Sequence, residues 1–219
     1  VQALTKNKTP PRRPGVRRRL VIVAVAVAAL LALYAIYAQA GHKSSGSGSG
    51  AASGFRHVAG APGIGAPAPD FTLESGTGTQ VSLAGFRGKT VLLYFQEGLT
   101  CQPCWDQIRD LEQNKTALTA AGVDQVVSIT TDAANLIGRK ASDEHLSTPV
   151  LSDPTLQVSR AYHANNYGMM GDMRDGHSFI LVGPDGTIAW RADYGGAPDY
   201  TMFLPTGKIL ADLSKERRQ

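Results

Sequence analysis

The sequence predicts an α/β domain, with a mixed central sheet flanked by helices, set behind an N-terminal transmembrane helix. Three observations carry this. Residues 20–38 form a run of 19 without a charge or a proline. Downstream, residues 90–95 are an apolar run of strand length, as expected for a strand buried on both faces, and 123–130 read as the next buried strand after an intervening helical pattern. Near the C-terminus, residues 178–182 and 187–192 flank Gly183-Pro184-Asp185-Gly186, a tight turn that makes them an antiparallel pair.

The first segment, 1–19, is a basic tail with seven of the chain's 22 basic residues and no acid. The remaining 15 basic and 18 acidic residues give the rest of the chain a net charge of −3, so the overall +4 does not indicate nucleic-acid binding. As a helix, the run 20–38 is about 28 Å long, close to the bilayer core. Arg12, Arg13 and Arg17 to Arg19 precede it and only His42 and Lys43 follow closely, so the positive-inside rule leaves the N-terminus in the cytoplasm. The run is longer than a signal-peptide core, which favours an uncleaved anchor over cleavage near Ala38-Gln39-Ala40. The expected protein is therefore single-pass in the cell membrane, with its remaining domain outside the cytoplasm. Residues 39–57 are a Gly/Ser-rich linker, flexible by composition.

The folded domain is expected over 58–219. Residues 71–73 and 80–83 read as a hairpin around Ser75-Gly76-Thr77-Gly78. After the strand 90–95, a helix is expected over 101–121, with Cys104, Ile108, Leu111 and Leu118 on one face and Gly122 as its stop. The strand 123–130 is followed by a short helix at 133–140. Residues 149–154 read as a turn into a second short helix at 155–162. Residues 163–175 form a loop, and 204–214 close the chain as an amphipathic helix. Alternating strands and helices followed by a strand pair give a mixed sheet with helices on both faces.

Cys101-Gln102-Pro103-Cys104 holds the only two cysteines. They stand between a buried strand and a helix start, where free N–H groups and the positive end of the helix dipole favour a thiolate at Cys101. Cys104, one turn on, is near enough to close a disulfide. A purely structural disulfide is the other reading. So small a ring would remove only about 2 kcal/mol of unfolded-state entropy, against about 3 for a 15-residue loop.

Gly65-Ala66-Pro67-Ala68-Pro69-Asp70-Phe71, Gly85-Phe86-Arg87-Gly88-Lys89, the C-x-x-C pair and Phe179-Ile180-Leu181-Val182-Gly183-Pro184-Asp185-Gly186 together resemble the redoxin branch of the thioredoxin superfamily. That branch includes the AhpC/TSA proteins and membrane-anchored thiol-disulfide oxidoreductases. The resemblance implies a thioredoxin-like fold. It also implies catalysis in which Cys101 attacks a substrate disulfide and Cys104 resolves the mixed disulfide. Pro103 matches the proline common inside such motifs. No cofactor or metal is assigned. The implied partners are a protein thiol or disulfide substrate and a membrane electron donor or acceptor.

Thiol peroxidase activity of AhpC/TSA type is the first alternative. The peroxidatic pattern P-x-x-x-T-x-x-C fails in both registers. With Cys104 as its cysteine, Glu97 and Cys101 replace Pro and Thr; with Cys101, Tyr94 and Gly98 do. A Sco-like copper-delivery protein is the second, suggested by the Met-rich segment 165–177 with His163 and His177, although Sco spacing is C-x-x-x-C.

Thr100 and Trp105 flank the pair and complete the expected active-site shell with Glu97, Asp106, Gly176 and His177. The buried acid of many thioredoxins aligns with Tyr94, which leaves Glu97 and Asp106 as proton-transfer candidates, or as solvated charges. The family's cis-proline position aligns with Gly176. His177 beside it either faces the thiols and moves a proton or is an exposed loop-end histidine.

Overall fold

The strand that the apolar run foretells is β3, Val91–Phe95, buried at every residue. A strand with no polar face needs cover on both sides and neighbours on both edges. The computed structural model describes Val27 and residues 55–217, and in it β3 has all four. It pairs parallel with β4, Gln125–Thr130, with Leu93 opposite Val127, and antiparallel with β6, Ser178–Val182, with Leu93 opposite Ile180. The seven strands run in the order β2-β1-β5-β4-β3-β6-β7. Here β1 is Thr72–Ser75, β2 Gln80–Ser82, β5 Val150–Ser152 and β7 Ile188–Asp193. The mixed sheet with flanking helices is as expected.

Side chains alternate along β3, so the two faces build two cores. Leu92 and Tyr94 join Phe179, Leu181 and Trp190 with Trp105, Ile108 and Leu111 of α1, Gln102–Gln113, and Ile209 and Leu213 of α5, Thr206–Glu216. Val91, Leu93 and Phe95 face the other way, onto Val127, Ile129, Ile180, Tyr162 and Val158. Val158 belongs to α4, Gln157–Ala161.

The expected helix over 101–121 is two helices, α1 and α2, Lys115–Ala120. They break at Asn114, whose Nδ2 donates to the Asp110 carbonyl at 2.8 Å, a side-chain bond that competes with continued helix. Residues 149–154, read as a turn, contain β5, which pairs parallel with β4 and carries the hairpin β1-β2 on its other edge. The hairpin turn also meets α3, Ala134–Asp143, where Gly76 and Gly138 are in backbone contact too close for a Cβ on either.

The expected membrane placement gains no support from the structure. Among the described residues no helix is long and apolar enough to cross a membrane. The run 20–38, the tail 1–19 and most of the linker 39–57 lie outside the described residues, Val27 excepted.

Candidate active site

The loop after β3 is shaped by bonds that converge on Gly98. The Gln96 side chain accepts the Gly98 N–H at 3.0 Å and donates to Ser128 Oγ at 3.3 Å. Gly98 has φ +99°, and a Cβ there would overlap the Asp132 carboxylate. Only glycine fits both restrictions. Asp132 accepts the Leu99 N–H at 2.7 Å, while the Gly98 carbonyl accepts the Cys101 N–H at 3.0 Å and Trp105 Nε1–H at 3.1 Å. This sets Cys101 as the N-cap of α1, with Pro103 in the first turn, where its missing N–H costs nothing.

Cys101 and Cys104 are joined in a disulfide with Cα atoms 5.3 Å apart. Cys101 is 7% exposed and Cys104 fully buried, and Met202 packs against both. No acid stands in the first turn of α1, so the positive helix end at the pair is not offset there.

The predicted shell residues separate. Trp105 is buried in the core and Thr100 is exposed at the loop tip. Asp106 lies on the surface, accepting from Arg109 at 2.7 Å and Gln102 at 3.1 Å. Glu97 is buried, and its carboxylate accepts the Met169 N–H at 2.6 Å. Both proposed proton carriers are thus committed to structural bonds.

His177 is fully buried, which overturns the exposed loop-end reading. Its Nδ1 lies 2.9 Å from the Tyr94 hydroxyl, which in turn lies 3.4 Å from the Cys104 carbonyl. Burial pushes the imidazole pKa down to about 3, so the ring is neutral at pH 7. Burial, with the Glu97 charge, pushes the Tyr94 phenol well up. Tyr94 has one proton to give. If it goes to His177, Nε2 carries a hydrogen with no acceptor; if to Cys104, Nε2 is a bare lone pair. Nε2 has no partner in either case.

Gly176 is closed over as well. A Cβ there would overlap the Tyr167 carbonyl, and the His177 N–H donates to that carbonyl at 3.0 Å. The strand end at the family's cis-proline position is covered by Tyr167 and Gly168.

Sequence reasoning missed a clamp. Arg174 donates to the Glu97 carbonyl at 2.9 Å and pairs with Asp132 at 3.0 Å, so the segment 168–174 is stitched to the cysteine loop from both ends. Nothing local in sequence marks these partners. Met169, Met170 and Met173 are exposed on this segment. The histidine on which copper binding was to depend, His177, is sealed in the core, and among the described residues no cluster of His, Cys, Asp or Glu could hold a metal ion.

Residues 64–191 match the AhpC/TSA family. The chain is 36% identical over 126 residues to a putative peroxiredoxin of Mycobacterium tuberculosis, covering 55% of this chain and 78% of that one. It is 36% identical over 124 residues to peroxiredoxin Bcp of Escherichia coli K12, covering 55% and 79%. Among solved structures, peroxidoxin BcpB of M. tuberculosis superposes with a TM-score of 0.58 at 19% identity over 69% of this chain and 96% of that one. Enterococcus faecalis AhpC gives 0.59 at 18% over 71% and 92%. These two show a shared fold.

Proposed function

The chain belongs to the AhpC/TSA family, and from that premise we propose that it is a thiol peroxidase working through Cys101 and Cys104. This corrects the expectation of a membrane-tethered enzyme exchanging electrons with protein disulfides, and with it the copper-delivery alternative, because the relatives it matches are named peroxiredoxins. The cell-membrane, extracytoplasmic placement is not carried into this reading.

The observation that supports peroxide over a protein disulfide is the access to the pair. Cys101 is 7% exposed and Gly176 is covered, so a small hydroperoxide reaches a thiolate at Cys101 more readily than the folded surface of a protein does. In the reduced enzyme the Cys101 sulfur attacks one peroxide oxygen, the O–O bond breaks, and the departing alkoxide or hydroxide takes a proton. Cys101 is left as a sulfenic acid. The Cys104 thiol displaces that oxygen as water, forming the Cys101–Cys104 disulfide, and two electrons from an external thiol donor restore the dithiol. Tyr94, paired with His177, lies beneath the Cys104 backbone, and the Pro103 turn keeps Cys104 one turn from the sulfenic acid.

The missing P-x-x-x-T-x-x-C pattern leaves the helix-start amides as the donors that favour the thiolate. The test is a single turnover of pre-reduced full chain with hydrogen peroxide. The wild type should consume about one equivalent and form the disulfide. Cys104→Ser should stop at a sulfenic acid trapped by dimedone, and Cys101→Ser should be inert. Consumption that persists in Cys101→Ser, or none in the wild type, overturns the reading.

A further inference from the structure

Asp175 is fully buried, and among the described residues neither carboxylate oxygen has a hydrogen-bond partner. It stands at the neck of the loop 164–175. There the Gly176 N–H donates to the Ala164 carbonyl at 3.0 Å, and the His177 N–H to the Tyr167 carbonyl at 3.0 Å.

The groups beside Asp175 offer an anion little. Asp153, after β5, is itself buried, and its oxygens are satisfied by the Gln157 N–H at 3.0 Å and by the N–H and hydroxyl of Ser159 at 2.7 and 2.6 Å. The one Ser159 hydroxyl proton is therefore spent on Asp153. Of the charged or titratable chain neighbours, Arg174 is turned to Asp132 and the Glu97 carbonyl, and His177 to Tyr94. An ionised Asp175 would be an unpaired buried charge next to a second carboxylate, an arrangement proteins avoid by keeping the proton. Burial accordingly raises its pKa well above the usual carboxylate range, with the nearby Ser159 hydroxyl opposing the rise and the Asp153 charge adding to it.

We propose that Asp175 is a latch, held as the neutral acid in the closed loop, and that losing its proton to solvent releases residues 164–175 from the cysteine loop. The loop carries Met169 and Arg174, the two ends of the stitch to Glu97, so its release frees the segment that shapes Gly98 and Cys101. The latch is independent of the peroxidase chemistry and is tested without peroxide.

The sign follows from linkage. In the open loop Asp175 meets water and ionises near pH 4, whereas the closed loop keeps its proton, so opening releases a proton and becomes easier as pH rises. Hydrogen exchange of the disulfide-bonded full chain reads this at the Gly176 and His177 amides, normalised for intrinsic exchange. Their protection should fall as pH rises above the open-loop pKa in the wild type, by up to about tenfold per pH unit, and stay flat in Asp175→Asn, which keeps the shape of the neutral acid. A flat wild type, or the same slope in Asp175→Asn, overturns the latch. Should that variant not fold, the infrared carbonyl band of a protonated buried carboxyl in the wild type at pH 7 decides instead. Its presence, with loss on alkaline titration, supports the latch; its absence overturns it.

Discussion

Removing the Tyr94 hydroxyl tests whether the floor beneath Cys104 is a working hydrogen-bond network. Tyr94→Phe keeps the ring, which stacks on Phe179 at 4.7 Å between centroids with an 11° interplanar angle, so little packing is lost. What changes is that His177 Nδ1 loses its 2.9 Å partner while Nε2 already has none, leaving a buried imidazole with both nitrogens unpaired. An orphaned buried polar group costs about 1–3 kcal/mol. For a domain of this size each kcal/mol lowers Tm by about 2–4 °C. Removing both partners should be milder than the sum, because Tyr94→Phe with His177→Leu leaves no polar atom behind. Urea unfolding with the disulfide intact would show a coupling of about 0.5–3 kcal/mol between the two changes. Strict additivity, or a Tyr94→Phe effect below about 0.5 kcal/mol, would refute the network.

Other outcomes follow from the same geometry. Gly176→Ala places a Cβ on the Tyr167 carbonyl, and should destabilise by more than about 4 kcal/mol or yield little folded protein, as read by thermal unfolding. Gly98→Ala meets Asp132 and a φ of +99°; its effect should appear as slower Cys101 alkylation in the reduced enzyme as well as a lower Tm. His177, with a folded pKa of about 3 against about 6.5 unfolded, takes up its proton more readily when unfolded. Its contribution is present above pH 6.5 and lost as pH falls towards 3, at about 1.4 kcal/mol per unit, so urea midpoints between pH 7 and 4 should fall more steeply in the wild type than in His177→Leu.

The parts legible in sequence were those written in short stretches. From Val91 to Phe95 there is no charged or amide side chain to place on a solvent face, and this stretch became the central strand. The cysteines stood out because there are only two, between that strand and a helix start. The short strand β5 was hidden between Pro149 and Pro154, where turn signals outweigh two apolar residues and only pairing with β4 and β1 makes a strand. The clamp from Arg174 to Asp132 spans 42 positions and the Tyr94–His177 contact 83, distances over which no local pattern registers. The family was reached from motifs along the scaffold. The peroxidatic pattern, absent in both registers, drew the activity towards disulfide exchange, and the relatives corrected it.

The placement of β3 between β4 and β6 also has a consequence for the order of synthesis. Its parallel partner is made soon after it, but His177, at the start of the antiparallel one, follows Tyr94 by 83 residues. At about 5–20 residues per second, a ribosome takes about 4 to 17 s to cover that interval. Once both are made, Cys101 and Cys104, three positions apart, are close enough to react, while His177, which completes the floor beneath them, has not been translated. The nascent pair therefore meets oxidants before it has an active site, and its first oxidation state is decided by the surroundings of the growing chain rather than by the fold.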